Sequence, residues 1–173
     1  MSYKVEKDWK YKDLRCVVIM TGAGHRCGYV GVTIEHPLFA VSYRDELPKE
    51  LQTRWEEVKN GAIGKRSIID LLCLDSGHPR IGILFDVHGG ITYSGGGLLS
   101  DYPIQSNLWW FGYDCAHYGD AADIDQIESE ALRKLKLQYS TGGVVRSLDY
   151  CVAECESLAE QLSDLCSYCP GKK

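Results

Sequence analysis

The stretch Leu108–Asp120, LWWFGYDCAHYGD, decides the fold of this chain. Its first half is rich in aromatic residues, which favour a pleated, half-buried strand. Its second half places Asp114, His117 and Asp120 where that strand ends, and binding groups often lie at the ends of rigid elements. The stretch therefore predicts a central strand with a polar site at its end.

A second stretch, Ile81–Ser94 (IGILFDVHGGITYS), also reads as a strand next to the first. Alternation would place Asp86 and His88 on one face and the apolar side chains on the other. In the first stretch, Trp110 and Asp114 share a face by the same rule. We expect the two polar faces to coincide and to form one site.

Composition limits the classes of protein to which the chain can belong. With 173 residues, 45% hydrophobic and 25% charged, it is expected to form one domain with an ordinary core. A net charge of −5 and the absence of a Lys/Arg run argue against a nucleic-acid partner. The longest apolar run, Cys16–Met20, is too short to span a membrane, and residues 1–13 lack a signal-peptide pattern. We expect a cytoplasmic protein.

The eight cysteines predict free thiols in a reducing compartment, because no export signal is seen. The spacings Cys166-x-x-Cys169 and Cys151-x-x-x-Cys155 also resemble zinc ligand pairs. However, structural zinc pairs usually lie on turns, and these cysteines follow a helical period. Packing in the core is therefore preferred, and Cys151, Cys155 and Cys166 are predicted to be buried and reduced.

The helix that carries these cysteines is predicted at about 145–167. Its apolar stripe consists of Leu148, Cys151, Val152, Cys155, Leu158, Ala159, Leu162, Leu165, Cys166 and Cys169. The acidic residues Glu154, Glu156, Glu160 and Asp164 are expected on the opposite, solvent-facing side.

Other elements complete the prediction of the fold. Leu14–Met20 and Tyr29–Glu35 read as a hairpin whose loop, Thr21–Gly28, presents His25, Arg26 and Cys27. Residues 3–13 suggest an edge strand or an extended arm. Helices are predicted at Pro48–Asn60 and Ala121–Gln138. The result is a single α+β domain, 1–173, with an antiparallel sheet and the C-terminal amphipathic helix on one face. Residues 47–80 and 121–143 read as peripheral insertions.

The preferred function is the binding of a small polar ligand, such as a nucleotide. Trp110 would stack on a planar ring, Arg26 with His25 would contact phosphate, and Asp86 or Asp114 would face sugar or base. The complete set of predicted ligand-binding residues is His25, Arg26, Asp86, His88, Tyr93, Trp110, Asp114 and His117.

Two catalytic alternatives remain open, and no cofactor is expected under the preferred function. In the first, Cys27 is a nucleophile with His88 as base and Asp114 as the orienting group. In the second, a metal ion is held by Asp86, His88, Asp114 and His117, since imidazole and carboxylate suit zinc, manganese or iron.

The runs GHRCGYVGV, HPLF, DVHGGITYS, LWWFGYDCAHYGD and LDYCVAECESLAEQL resemble a group of small phage and prophage proteins. The group carries no established activity, so no catalytic residue is transferred from it. The resemblance implies a phage origin, action in the cytoplasm of the host bacterium, and sequestration of a nucleotide-derived immune signal. An inhibitor that binds a host protein is a further alternative, and homo-oligomerisation is left open.

Overall fold

Five strands form one antiparallel sheet in the computed structural model, which describes residues 2–61, 79–97, 100–139 and 142–168. The spatial order is β1-β2-β3-β5-β4. The strands are β1 (Tyr3–Tyr11), β2 (Leu14–Thr21), β3 (Arg26–Val32), β4 (Tyr93–Gly96) and β5 (Trp109–Asp114).

Strand β2 consists largely of β-branched and apolar residues, and its centre is fully buried. A tight turn at Lys12 and Asp13, both with positive φ, joins it to the edge strand β1. On its other side β2 pairs with β3, so the hairpin predicted from the sequence is confirmed. Strand β3 begins at Arg26, however, and Cys27 therefore lies within the sheet instead of at the loop tip.

Three α-helices are present in the described part of the chain: α1 (Gln52–Asn60), α2 (Glu130–Gln138) and α3 (Leu148–Leu165). The C-terminal helix α3 packs on β3 and β2. This confirms the predicted α+β class, with an antiparallel sheet covered on one face by the C-terminal helix. Of the helices that the structure describes, none is long and apolar enough to cross a membrane.

Both faces of the sheet are covered. On one face α3 packs through Cys155 and Leu158 against residues such as Val30 and Phe111. The opposite face carries a smaller cluster made of Val17, Ile19, Cys27, Tyr29 and Trp110, which is covered by Tyr93, Tyr102, Ile104 and Leu108. An exposed polar face on the central strands, as expected from the sequence, is therefore not present.

The predicted strand Ile81–Ser94 is wrong except for its last two residues, which belong to β4. Ile81–Leu84 forms a 3-10 turn, and pairing with β5 begins only at Tyr93. The reason lies in the hydrogen bonds of the backbone: the N–H groups of Asp86 and His88 donate to side chains of α3 instead of to a neighbouring strand. The apolar side chains of this segment are buried throughout.

Helix α2 is shorter than the predicted helix Ala121–Gln138. It begins at Glu130, where the Ser129 side chain accepts a hydrogen bond from the N–H of Leu132. Before it, the backbone N–H groups of Asp123 and Glu128 donate to carbonyl groups in the β2–β3 loop. These contacts hold residues 121–128 against the hairpin, so the helical period seen in the sequence is not used there.

Two expectations for α3 are wrong. Glu154 is 2% exposed, because its carboxylate accepts a hydrogen bond from the backbone of His88. Cys166 is exposed, because the α-helix ends at Leu165 and a 3-10 turn changes the period. Cys151 and Cys155 are buried free thiols, as predicted. Cys169 and residues 62–78 of the first predicted insertion lie outside the described residues.

Candidate functional site

His88 lies in the loop between the 3-10 turn and β4, and side chains hold both of its ring nitrogens. Its Nδ1 is 2.9 Å from the hydroxyl of Tyr150, and its Nε2 is 2.8 Å from Oδ2 of Asp120. The backbone N–H donates to Oε2 of Glu154 at 2.9 Å. Because the Asp120 carboxylate accepts, Nε2 carries a proton, and in the neutral imidazole Nδ1 then accepts from the Tyr150 hydroxyl.

The side chain of Asp120, which contacts His88, is fully buried, with 0% exposed. Besides His88, its Oδ2 accepts the backbone N–H of His117 at 3.0 Å, and its Oδ1 accepts Nε of Arg146 at 2.7 Å. Burial alone would raise the pKa of Asp120, but hydrogen bonds from His88 and Arg146 outweigh it and lower the pKa. The carboxylate is therefore ionised at neutral pH.

Local backbone geometry brings these groups together. Asp120 pairs with Val144 in an isolated parallel bridge, and a Cβ at Gly143 would lie 2.7 Å from the Asp120 carbonyl oxygen. The next residues lead into α3, whose N-cap Ser147 accepts the N–H of Tyr150. Arg146 and Tyr150 thus flank the start of the helix, where the guanidinium lies over the Tyr150 ring at 5.0 Å.

His117 occupies a space that only glycine leaves open. A Cβ at Gly89, where φ is +66°, would lie 2.2–2.5 Å from atoms of the His117 ring. The Nδ1 of His117 is buried and has no hydrogen-bond partner among the described residues. Oδ1 of Asp114 is 3.6 Å from it, which is beyond hydrogen-bond distance.

One ligand atom from each of His88, His117 and Asp120 can be chosen so that all lie within 4.8 Å of one another. We call His88, His117, Asp120, Arg146 and Tyr150 the His88 centre. Nitrogen and carboxylate donors of this kind are the ligands preferred by zinc and related transition metals.

The structure brings together part of the predicted metal set. His88 and His117 are neighbours, with ring centroids 5.7 Å apart, and Asp114 lies beside His117. Asp86 is not among the residues whose ligand atoms converge, and its backbone N–H and carbonyl both bond to the Gln161 side chain. Asp120 supplies the third ligand atom.

The residues predicted to contact phosphate have other partners. Arg26 forms a two-point ion pair with Glu6 and also donates to the carbonyl of Arg146. The ring Nδ1 of His25 is 2.9 Å from the carbonyl oxygen of Cys115. Both side chains therefore stabilise the neighbourhood of the His88 centre without belonging to it.

Three further predicted residues lie on the opposite face of the sheet. Trp110 is 1% exposed, and Tyr93 packs edge to face on Tyr29. Cys27 belongs to the same cluster, and burial raises its pKa to about 12. The structure therefore does not assemble Cys27 with His88, which contacts the α3 side, and the thiol is not activated.

Sequence reasoning did not identify Arg146, Tyr150 or Glu154 as part of the site. A serine three residues before Tyr150 signals a helix N-terminus, but no pattern indicates that this terminus meets the loop at Asp120. Asp120 itself was recognisable only as one polar residue after a strand.

A separate apolar cavity of about 670 Å³ lies near the ends of β3 and β4. Its walls include Ile34, Phe39 and Trp109, and none of the eight predicted ligand-binding residues lines it. It is distinct from the His88 centre.

Compared with protein-family models, curated proteins and solved structures, the chain has no match.

Proposed function

We propose that the protein binds a small, polar, nucleotide-like ligand at the His88 centre. The observation that carries this proposal is the buried Nδ1 of His117, which has no hydrogen-bond partner in the described part of the chain. An unpaired buried polar atom costs about 1–3 kcal/mol, so a bound molecule that supplies a partner is stabilised accordingly. The His117 side chain is 30% exposed, so part of the ring faces solvent although Nδ1 itself is buried.

Arg146 supplies positive charge for an anionic group. Its Nε is committed to Asp120, whereas its two Nη groups donate to no other residue that the structure describes. The side chain is 27% exposed. A guanidinium with free N–H groups matches the geometry of a phosphate or carboxylate.

Tyr118 provides an exposed aromatic surface in the same loop as His117. It lies in the loop between His117 and Asp120, and it is fully exposed. An exposed aromatic ring that directly follows His117 in the chain suits a ligand that combines a planar base with a phosphate. Tyr118 takes the stacking role that the sequence assigned to Trp110, and Arg146 takes the phosphate role assigned to Arg26.

The resemblance to small phage proteins supports a biological role in which the protein sequesters a nucleotide-derived immune signal of the host. Under this role the ligand is held and not cleaved. Protein exposed to the ligand should then release it chemically intact after heat denaturation. A cleaved product that His88→Ala no longer generates would instead indicate an enzyme.

Isothermal titration of the full chain with adenosine monophosphate, a cyclic dinucleotide and inorganic phosphate tests the proposal. We expect Tyr118→Ala to weaken nucleotide binding by roughly 5- to 150-fold, because a lost stacking ring costs about 1–3 kcal/mol. Tyr139→Ala is the matched control, since Tyr139 is another exposed tyrosine, 65% accessible at the end of α2. It should leave affinity unchanged.

Absence of binding for every probe would reject the proposal. Equal affinity of the wild type and Tyr118→Ala for a nucleotide would place the ligand elsewhere on the surface. If inorganic phosphate bound as tightly as the nucleotides, the base would add no affinity. The site would then be an anion site, and the nucleotide assignment would be rejected.

A further inference from the structure

Three side chains of the His88 centre meet the requirements of a transition-metal site. Two imidazoles and one carboxylate converge, and the ligand atoms lie within 4.8 Å of one another. We propose that His88 Nε2, His117 Nδ1 and Asp120 Oδ2 bind a divalent transition metal ion of the zinc class. This inference goes beyond ligand binding. It assigns the unpaired His117 Nδ1 to the metal ion, so a nucleotide bound at the same time would contact the open position of the ion and Arg146 instead.

The distances fit a metal ion with small adjustments. Bonds of about 2.0–2.2 Å in a tetrahedral arrangement place ligand atoms roughly 3.3 Å apart. His88 Nε2 and Asp120 Oδ2 are 2.8 Å apart, so they must separate slightly to admit an ion. The ring of His117 already occupies the space that the missing side chain of Gly89 leaves open, and its ligand atom lies within 4.8 Å of the other two.

The unpaired Nδ1 of His117 is a second, independent observation. A buried ring nitrogen without a donor or acceptor is unusual in a folded protein, and a metal ion would satisfy it directly. By contrast, both ring nitrogens of the buried His36 have protein partners. A ring nitrogen of His117 lies within 4.8 Å of a carboxylate oxygen of Asp120, and the ionised carboxylate is a group that stabilises a cation.

The surrounding residues supply the outer partners that metal ligands require. Arg146 holds Oδ1 of Asp120, which leaves Oδ2 directed at the proposed ion. Tyr150 lies at 2.9 Å from Nδ1 of His88. For Nε2 to bind metal, the single proton of neutral His88 would have to be on Nδ1 instead of Nε2, and the Nδ1–H would then donate a hydrogen bond to the Tyr150 oxygen. The hydroxyl can act as donor or acceptor, so the contact is kept in both states.

The donor set selects the type of ion. Two nitrogen ligands favour zinc, cobalt or iron over magnesium and calcium, which prefer oxygen. Three protein ligands leave a fourth tetrahedral position for water or for an oxygen of a bound ligand. This is the arrangement of zinc sites that exchange ligands, in contrast to closed structural sites.

Metal titration of the full chain, freed of metal by a chelator, tests the proposal. Zn²⁺ is titrated in competition with a chromophoric chelator, and Co²⁺ is followed by its visible absorption. We expect one ion per chain and no competition from Mg²⁺. No Zn²⁺ binding would overturn the proposal, and so would a strong near-ultraviolet thiolate–Co²⁺ band, which would place the metal on cysteines.

Variants locate the metal. We expect His117→Ala to weaken Zn²⁺ binding at least a hundredfold, because it removes one of three ligands, and the core should stay intact since His117 is not a core residue. Tyr150→Phe should weaken it by about 10- to 100-fold through the loss of the outer partner of His88. Asp86→Asn is the matched control and should bind normally. Unchanged Zn²⁺ affinity in a folded His117→Ala protein would overturn the assignment.

The two proposals fail separately. Nucleotide titrations of chelated and Zn²⁺-loaded protein show whether the ligand binds without metal. Nucleotide binding by protein that takes up no Zn²⁺ would reject the metal site alone. Zn²⁺ binding that depends on His117, with no heat from any nucleotide, would reject the ligand proposal alone.

Discussion

Two buried histidines lie against opposite ends of α3, and their partners differ. Near the C-terminal end, the Nε2 of His36 donates to the carbonyl of Leu162, and its Nδ1 accepts the N–H of Leu38. Near the N-terminal end, both ring nitrogens of His88 contact side chains. Both histidines are less than a tenth exposed, so burial does not distinguish them.

The chemistry of their hydrogen-bond partners distinguishes the two histidines. Backbone groups cannot change protonation or rotate away, so the His36 ring is fixed as a connector between α3 and the segment after β3. The partners of His88 are a carboxylate and a hydroxyl, which can shift toward a ligand or a metal ion. A buried histidine therefore indicates a functional site most clearly when side chains bind its ring.

The largest expected effect concerns the packing of α3 on the sheet. The contacts of both His36 and His88 with α3 depend on this packing. Cys155 is 0% exposed, whereas Cys166 is exposed just beyond the end of the helix. A buried thiol reacts only after local opening, and opening of core elements approaches a global stability of about 5–15 kcal/mol. We expect Cys166 to react at least a thousandfold faster than Cys155 with a thiol reagent, measured by site-resolved mass spectrometry. Similar reaction rates for Cys166 and Cys155 would show that α3 is not tightly packed on the sheet.

The next effect concerns the N-terminal end of α3, where a substitution removes the buried charge of Asp120 that contacts His88. Asp120→Ala leaves the His88 ring and the Arg146 guanidinium without their shared partner. Removing one member of a buried ion pair costs about 3–5 kcal/mol, so we expect a loss of this size in urea denaturation with chelator present.

Asp114→Ala is the control, because the carboxylate of Asp114 is 34% exposed and accepts a local N–H from Ala116. It should cost about 1 kcal/mol. Equal losses in the two variants would mean that the buried carboxylate does not organise the centre.

The sequence was sufficient for the elements that local chemistry determines. Strand β2 follows from its run of β-branched residues, and α3 follows from its apolar stripe and from Ser147. The shared face of Trp110 and Asp114 also follows from alternation, as the pairing of β3 with β5 confirms. Each of these inferences uses only neighbours in the sequence.

The rest depends on long-range contacts that no local pattern encodes. Trp110 is covered by a segment that includes Tyr102 and Ile104, so its face is closed instead of open. The alternation at Asp86 and His88 was misleading because side chains of α3, more than 60 residues away in sequence, satisfy their backbone groups. The meeting of Asp120 with Arg146 depends on a bridge between two loops.

The smallest effect concerns pH and the His36 end. Burial lowers the pKa of His36 below its ordinary value of 6.5, although the Leu162 carbonyl offsets part of the shift. The unfolded chain therefore takes up a proton first as the pH falls below 6.5, so the contribution to stability is complete above that pH and decreases below it. His25, whose pKa burial also lowers, acts in the same direction in any variant that retains it.

His36→Gln isolates this contribution, because glutamine keeps a donor for the Leu162 carbonyl but does not titrate. At pH 7 we expect the variant to be about 1–3 kcal/mol less stable, since the Leu38 N–H loses its acceptor. The gap should narrow between pH 7 and pH 5, because only the wild type loses the contribution of His36 while the contribution of His25 cancels. Urea denaturation of both proteins with chelator present measures the gap. A stability difference that stays constant or widens toward pH 5 would show that His36 is not held neutral by burial. His36 would then not be the fixed, neutral connector with which His88 is compared.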